Sequence, residues 1–342
     1  MKYKLIKLFK QKNKIIFKIF LVLFLLLINL KIYDIIEYST ITKEIKLIKK
    51  FYKIIKNEIL QFRRLIININ NTNKSKYPKV SIISSVYNRE KYIPIFIRCI
   101  QNQILVDIEL IFVDDFSEDN SIEIIERYKI NDPRIILIKN KKNKGTLISR
   151  NIGALKARGE YLVFPDSDDI LSRDILNICY KTCKTYNYDL VRFNMYSDHY
   201  FIFGLIDIHL KREIFQPELR TYLIYGYGYL KLVDGIISNK FIRKTLYLIS
   251  LNNINEFFIN QKMVYFEDGL INLALHFNAK SLYLLNHIGY YYIFNKDSMS
   301  HFINFDSYLR CFFIFLKFFV EYTKKNKYEQ EMNFFILKEY IS

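Results

Sequence analysis

From Lys79 the sequence alternates between two textures, and that alternation limits the folds open to it more than any other feature. "KVSIISSVYN" is a short β-rich run, and "REKYIPIFIRCIQNQ" has helical spacing with Pro94 in its first turn. "IELIFVDD" (Ile108 to Asp115) is a second strand, and "SEDNSIEIIERYK" a helix with Ser117 or Asp119 as its expected cap. "RIILIK" (Arg134 to Lys139), "GTLISRNIGALKAR" and "EYLVF" (Glu160 to Phe164) continue as strand, helix and strand. Strands and helices joined by short loops imply an α/β fold, a mostly parallel sheet with helices on both faces. Ligands of such sheets bind beyond the carboxyl ends of the strands. Tyr87 and Asn88 follow strand one, Asp114 and Asp115 strand two, and Asp166, Asp168 and Asp169 strand four.

The last group stands out because the chain is basic, with 52 Lys+Arg against 34 Asp+Glu and a formal net charge of +18. In "YLVFPDSDDIL" three carboxylates lie within four residues. Carboxylates that close repel one another unless a cation compensates. An all-oxygen cluster suits a hard divalent ion, Mg²⁺ or Mn²⁺, whose shell is usually completed by substrate phosphates. D-x-D at a strand end therefore reads as a metal–diphosphate site. The plainer reading is a polar turn, with Asp169 as a helix cap. Tyr87 is placed to stack on a base, and Asp115 to accept a hydrogen bond from base or ribose. Read one by one, Tyr87 fits equally as core, and Asp114 and Asp115 as caps.

Before this region the chain has a different character. Residues 1–14 are basic, and 15–33 (Ile15 to Tyr33) are apolar apart from Lys18, Asn29 and Lys31. The uninterrupted part, Ile19 to Ile28, is short for a span of about 20 residues, but lysines near its ends can snorkel and extend it. A cleavage site wants small residues after the apolar core, and the first Gly is Gly145 and the first Ala is Ala154. An uncleaved single-pass signal-anchor is the expectation, with the membrane as a partner. Lysines flank the segment on both sides, so the side on which the rest of the chain lies, cytosolic or lumenal, stays open. Within residues 34–78, Ile41, Ile45, Ile48, Phe51, Ile55 and Ile59 trace an amphipathic stalk helix. A polar linker with sequons at Asn70 and Asn73 follows it. No zinc-finger spacing or RNA-binding signature is visible, so nucleic acid is not an expected partner. Cys179 and Cys183 lie one helical turn apart without a second pair, and read as buried thiols.

Six stretches occur in order: "VSIISSVYNREKYI", "IELIFVDDFSEDNS", "NKGTLISRNIGALKARGEYLVFPDSDDIL", "SNKFIRKTLY", "YFEDGLINLAL" and "YYYIFNKDSMS". Together they resemble glycosyltransferase family 2, inverting nucleotide-sugar transferases of the GT-A fold, over residues 79–300. The resemblance implies that Tyr87 and Asp115 contact the base and ribose, that Asp166 lies near the ribose, and that Asp168 binds the metal. It also implies that Asp268 of "FEDG" is the catalytic base, with Glu267 beside it orienting a neighbour or binding acceptor. The QxxRW motif of polymer-forming members is not visible and the chain has no Trp, which favours addition of a single sugar.

The implied reaction is one in-line displacement. An acceptor hydroxyl of a glycan, lipid or protein attacks the anomeric carbon, and the nucleoside diphosphate leaves from the opposite face. A metal at Asp168 would neutralise the leaving group, and Asp268 would take the hydroxyl proton. Two alternatives stand beside this. A nucleotidyltransferase also pairs acids with a metal, but a Gly-rich phosphate loop is expected near its first strand, and "SVYNRE" has no Gly. An inactive membrane-tethered binding protein is the other. Residues 201–260, including "YGYGYL" (Tyr225 to Leu230), are where the acceptor should meet the chain; aromatic faces there can stack on a sugar or pack a core. In 301–342, "SYLRCFFIFLKFFVEY" (Ser307 to Tyr322) reads as a packed or interfacial helix, not a second span.

Overall fold

A computed structural model describes residues 77–197, 212–215, 236–258, 263, 265–293 and 305–325. The expected anchor, stalk and sequons, and "YGYGYL", lie outside the described residues. Among the described residues no helix is long and apolar enough to cross a membrane.

The alternating region folds as its pattern dictates. Strands β1 (Val80–Val86), β2 (Ile108–Asp114), β3 (Ile135–Lys139) and β4 (Tyr161–Val163) are interleaved with helices α1 (Ile93–Gln101), α2 (Ser121–Asn131) and α3 (Thr146–Lys156). These four strands are parallel in the order β3-β2-β1-β4. Residues of β1 and β2 are buried on both faces almost throughout, as parallel strands covered on two sides are. Side chains alternate between two cores. Ile83, Ile111, Val113, Leu162 and Phe164 enter one; Ile82, Leu110, Phe112, Tyr161 and Val163 enter the other. Helix α1 covers the second core with Ile93, Phe96, Ile97 and Ile100, the three-and-four spacing of one helical face, and Pro94 stands in its first turn, where its missing N–H costs nothing.

Past β4 the order becomes more tangled. The chain adds β5 (Ile170–Leu171), α4 (Ile175–Tyr186), β6 (Leu190–Ser197), β7 (Arg212–Phe215), β8 (Lys240–Arg243), α5 (Lys244–Phe258), α6 (Glu267–Asn278), β9 (Ser281–Tyr292) and α7 (Phe305–Lys325). The sheet runs β3-β2-β1-β4-β8-β6-β9-β5, with β7 also on β9. β8 lies antiparallel between β4 and β6, and β5 and β7 pair antiparallel with β9. Only β6–β9 among these later pairings is parallel. The expectation of a mostly parallel sheet therefore holds for the first four strands, and the described sheet as a whole is mixed. Once the βαβ repeats end, the later strands enter the sheet from both directions.

One helix cap differs from expectation. The cap of α2 is Asn120, not Ser117 or Asp119. Asp119 instead accepts hydrogen bonds from the backbone N–H groups of Ser121 and Glu90 (both 2.9 Å), so it joins two loops. The C-terminal helix is of the packed kind, sharing a core with the sheet: Cys311 and Phe318 are buried there, and Phe266 lies 4.9 Å from Tyr308 and 5.9 Å from Phe315, ring centre to ring centre. Cys179 and Cys183 are buried free thiols, as expected.

Candidate active site

Register decides what meets at the sheet edge. Val86 of β1 lies opposite Asp114 of β2, and Ile82 opposite Val163 of β4. The residues just beyond, Tyr87, Asp115 and the 166–169 turn, therefore emerge side by side. The loop after β1 is laced to the loop after β2. Asn88 N–H donates to Ser117 Oγ (3.0 Å), Glu118 N–H to Asn88 Oδ1 (2.9 Å), and Arg89 N–H to Ser121 Oγ (2.9 Å). Tyr87, at this edge, is 43% exposed and available for stacking.

Asp115 also has a structural task at this edge. It is buried, and its carboxylate is already met by the loop after β3: Oδ1 accepts from Asn140 Nδ2 (2.9 Å) and Lys144 N (2.8 Å), and Oδ2 from Gly145 N (2.7 Å). Gly145 has φ 90°, a left-handed conformation that glycine adopts freely, and it starts α3. Asp115 thus holds the β3–α3 loop against the site, and a nucleotide contact would use its remaining lone-pair capacity. Asp114 Oδ2 accepts from the N–H groups of Phe116 and Ser117 (both 3.2 Å) and shapes the neighbouring loop.

Each acid of the 166–169 turn has its own partner. Asp166 accepts from Arg150 Nη2 (2.7 Å) and from Ser238 Oγ (3.3 Å), which comes from the segment leading into β8. Asp168 faces the guanidinium of Arg89, with Nε 3.3 Å from its Oδ2. Asp169 is no helix cap, in contrast to the simple turn reading. It is buried and accepts from the hydroxyl of Tyr290 and from Ile293 N–H (2.8 Å), tying the turn to β9. Its burial, then the nearby charges of Asp166 and Asp168, push its pKa up to about 8.

Asp268 and Glu267 open α6, far along the chain, and Arg150 brings them to this edge. Arg150 sits on α3, whose close approach to β1 depends on Gly153: a Cβ there would collide with Ile83 Cγ2. Its side chain is 5% exposed, and its two terminal nitrogens reach Asp166 and Asp268. Burial opposes the guanidinium charge, but the carboxylates of Asp268, Asp166 and Glu267 outweigh it and raise its pKa further. Asp268 also accepts from Ile237 N–H (3.1 Å). Glu267 lies in a drier setting: burial first, and the charge of Asp268 second, push its pKa up to about 8. Adjacent acids in unlike environments can divide acid and base roles. Phe266, just before them, is left-handed with φ 63°; so are Asn88 (φ 52°) after β1 and Phe116 (φ 72°) after β2. Non-glycine residues held in that region carry a local cost, and here three of them border the site.

The structure thus gathers Tyr87, Asp115, Asp166, Asp168, Glu267 and Asp268 at one edge. Arg150, Arg89, Ser238 and Tyr290 escaped the sequence reading. Arg150 left a trace, since it falls with Leu147 and Ala154 on the buried stripe of α3, where an unpaired Arg would be costly. Among the described residues no three His, Cys, Asp or Glu side chains converge to hold a metal by themselves. The donor set fits a hard divalent ion only as a site built on Asp168, with phosphate oxygens and water completing the shell.

Comparisons with known proteins bear on the family and the fold. The sequence profile of Glycosyl transferase family 2 matches residues 81–248. A protein of Borreliella burgdorferi named cholesterol galactosyltransferase is 32% identical over 235 residues, 65% of this chain and 62% of its own length. Glycosyltransferase GlyG of Streptococcus pneumoniae is 33% identical over 118 residues, 34% of this chain and 39% of its own. The chain therefore spans less than two thirds of either relative. The crystal structure of S. aureus TarS 1-349 in complex with UDP-GlcNAc superposes with a TM-score of 0.61 at 20% identity, over 77% of this chain and 72% of that one, a likeness of fold. The strand-edge acids, the shared fold and the profile match lead to one conclusion: residues 81–248, just under half of the chain, match glycosyl transferase family 2.

Proposed function

We propose that this protein transfers a single sugar from a nucleoside-diphosphate sugar to an acceptor hydroxyl, with inversion and by direct displacement. The observation that carries the reading is the Arg150 clamp, which puts Asp268 beside the strand-end acids although 118 residues separate it from Arg150. The fold neighbour solved with UDP-GlcNAc supports a donor of that class. In this reading Tyr87 stacks on the base, and Asp115 and Asp166 line the nucleoside end. Asp168 would hold Mg²⁺ or Mn²⁺, which as a Lewis acid would neutralise charge growing on the leaving diphosphate. Asp268, whose side chain is 25% exposed, reaches the acceptor side and takes the hydroxyl proton as general base. Glu267, kept protonated up to about pH 8 by its burial and by Asp268, orients a neighbouring residue or binds acceptor. A membrane anchor at residues 15–33 would place the acceptor, a glycan, lipid or protein, near a bilayer.

Turnover of nucleotide sugars by point variants tests the assignment. Loss of a general base costs about 10²–10⁴-fold in rate. Asp268→Asn should fold, keep its donor affinity, and turn over at least about a hundredfold more slowly. Near-normal turnover in Asp268→Asn with loss in Glu267→Gln would reverse the two roles.

A further inference from the structure

The guanidinium of Arg89 stands where a cation serving Asp168 would be expected. Its Nε lies 3.3 Å from Asp168 Oδ2, and its Nη1 donates to the carbonyls of Tyr87 and Asn88 (both 3.2 Å). The group is therefore fixed between the loop after β1 and the acid turn, with side-chain exposures of 25% for Arg89 and 15% for Asp168. The backbone of Arg89 is held independently of its side chain. Its N–H donates to Ser121 Oγ (2.9 Å), and its carbonyl accepts from Tyr92 N (3.0 Å) and Ile93 N (3.1 Å), at the start of α1.

We propose that Arg89 is the resident counter-cation of Asp168 and competes with the divalent ion for that carboxylate, so that metal uptake requires the guanidinium to be exchanged for the metal. The inference rests on the reading of Asp168 as the metal ligand. Two effects act in one direction. A carboxylate oxygen shared with guanidinium is less available to a metal, and a fixed positive charge close by repels an incoming divalent cation. The ion pair also compensates Asp168 before donor arrives, beside Asp166, which Arg150 already serves. Bound diphosphate then offers the displaced guanidinium a new anionic partner, which couples metal and donor binding.

The test is Mn²⁺ binding to the whole chain, alone and with UDP, by calorimetry and by the electron paramagnetic resonance signal of free Mn²⁺. Arg89→Met keeps most of the side-chain stem and removes the charge. It should bind Mn²⁺ about fivefold more tightly than the parent, the scale of one partly exposed ion pair. Arg89→Lys restores a positive charge and should stay within about twofold of the parent. Asp168→Asn separates the proposal from its premise. If Asp168→Asn binds Mn²⁺ as the parent does, Asp168 is not the ligand and the premise fails. If Asp168→Asn loses binding while a folded Arg89→Met binds no more tightly than the parent, Arg89 does not compete. If the parent binds no Mn²⁺ and Arg89→Met does, the competition is confirmed; if neither binds, it is refuted.

Discussion

Removing the Arg150 guanidinium should damage both the fold and the chemistry, and the two effects can be separated. In Arg150→Met the carboxylates of Asp166 and Asp268 would face each other without the cation between them. Deleting one partner of a fully buried ion pair costs about 3–5 kcal/mol. Here the cation is buried, but its partners are 38% and 25% exposed, so water takes up part of the loss. About 2–3 kcal/mol is the reasonable share, which for a unit of this size lowers Tm by about 5–10 °C. Thermal melts of parent, Arg150→Met, Asp268→Asn and the double variant complete a cycle, in which a coupling of about 1–3 kcal/mol is expected between groups in direct contact. The folded fraction of Arg150→Met should also react slowly, because the fork that positions Asp268 beside the strand-end acids is gone. Arg150→Lys should recover much of the stability but little of the rate, since one ammonium cannot serve two carboxylates as a fork does. A Tm drop below about 2 °C with additive effects would show that the clamp does not organise the site.

Two more outcomes can be checked. Glu267 has a folded pKa of about 8 against an ordinary 4.5, so its neutral form favours the fold, and that stability is complete below pH 4.5 and lost as pH rises through 8. Melts across this window should therefore show Glu267→Gln gaining on the parent as pH rises; a constant difference would mean that Glu267 is not held neutral. Gly159→Ala should destabilise strongly, because its Cβ would lie 2.5 Å from Ser81 N and 2.8 Å from the carbonyl carbon of Val80, backbone atoms of a central strand. A loss above about 2 kcal/mol in a chemical denaturation curve is expected, and a neutral result would mean that the helix-to-strand turn yields more easily than its packing implies.

What could be read from the sequence divides near residue 164. Before it, short apolar strands and three-and-four helical spacing carry the structure locally, and β1 to β4 with α1 to α3 follow directly from the residues. The strand-edge placement of Tyr87, Asp115 and Asp166 followed too, because ligand sites of parallel sheets sit at one end. After it, the decisive information is non-local. Nothing in "SNKFIRK" says that β8 inserts antiparallel between β4 and β6. Nor does "YYYIFNK" say that Tyr290 and Ile293 will hold Asp169. Arg89 and Arg150 look like ordinary basic residues of a Lys- and Arg-rich chain, and only the fold shows which acids they meet. The left-handed backbone at Phe116 and Phe266 has no local signature at all, since nothing in a phenylalanine favours it. Loop packing imposes it.

The Arg150–Asp268 contact has a consequence for the order in which this protein is completed. The family profile ends at residue 248, and Asp268 lies beyond it. A growing chain that has reached the end of β8 already contains the loops after β1, β2 and β4, yet lacks the Asp268 carboxylate that Arg150 meets. Until α6 is made the Arg150 guanidinium has Asp166 to meet but not Asp268, so the clamp closes only when residues 267–278 join the fold.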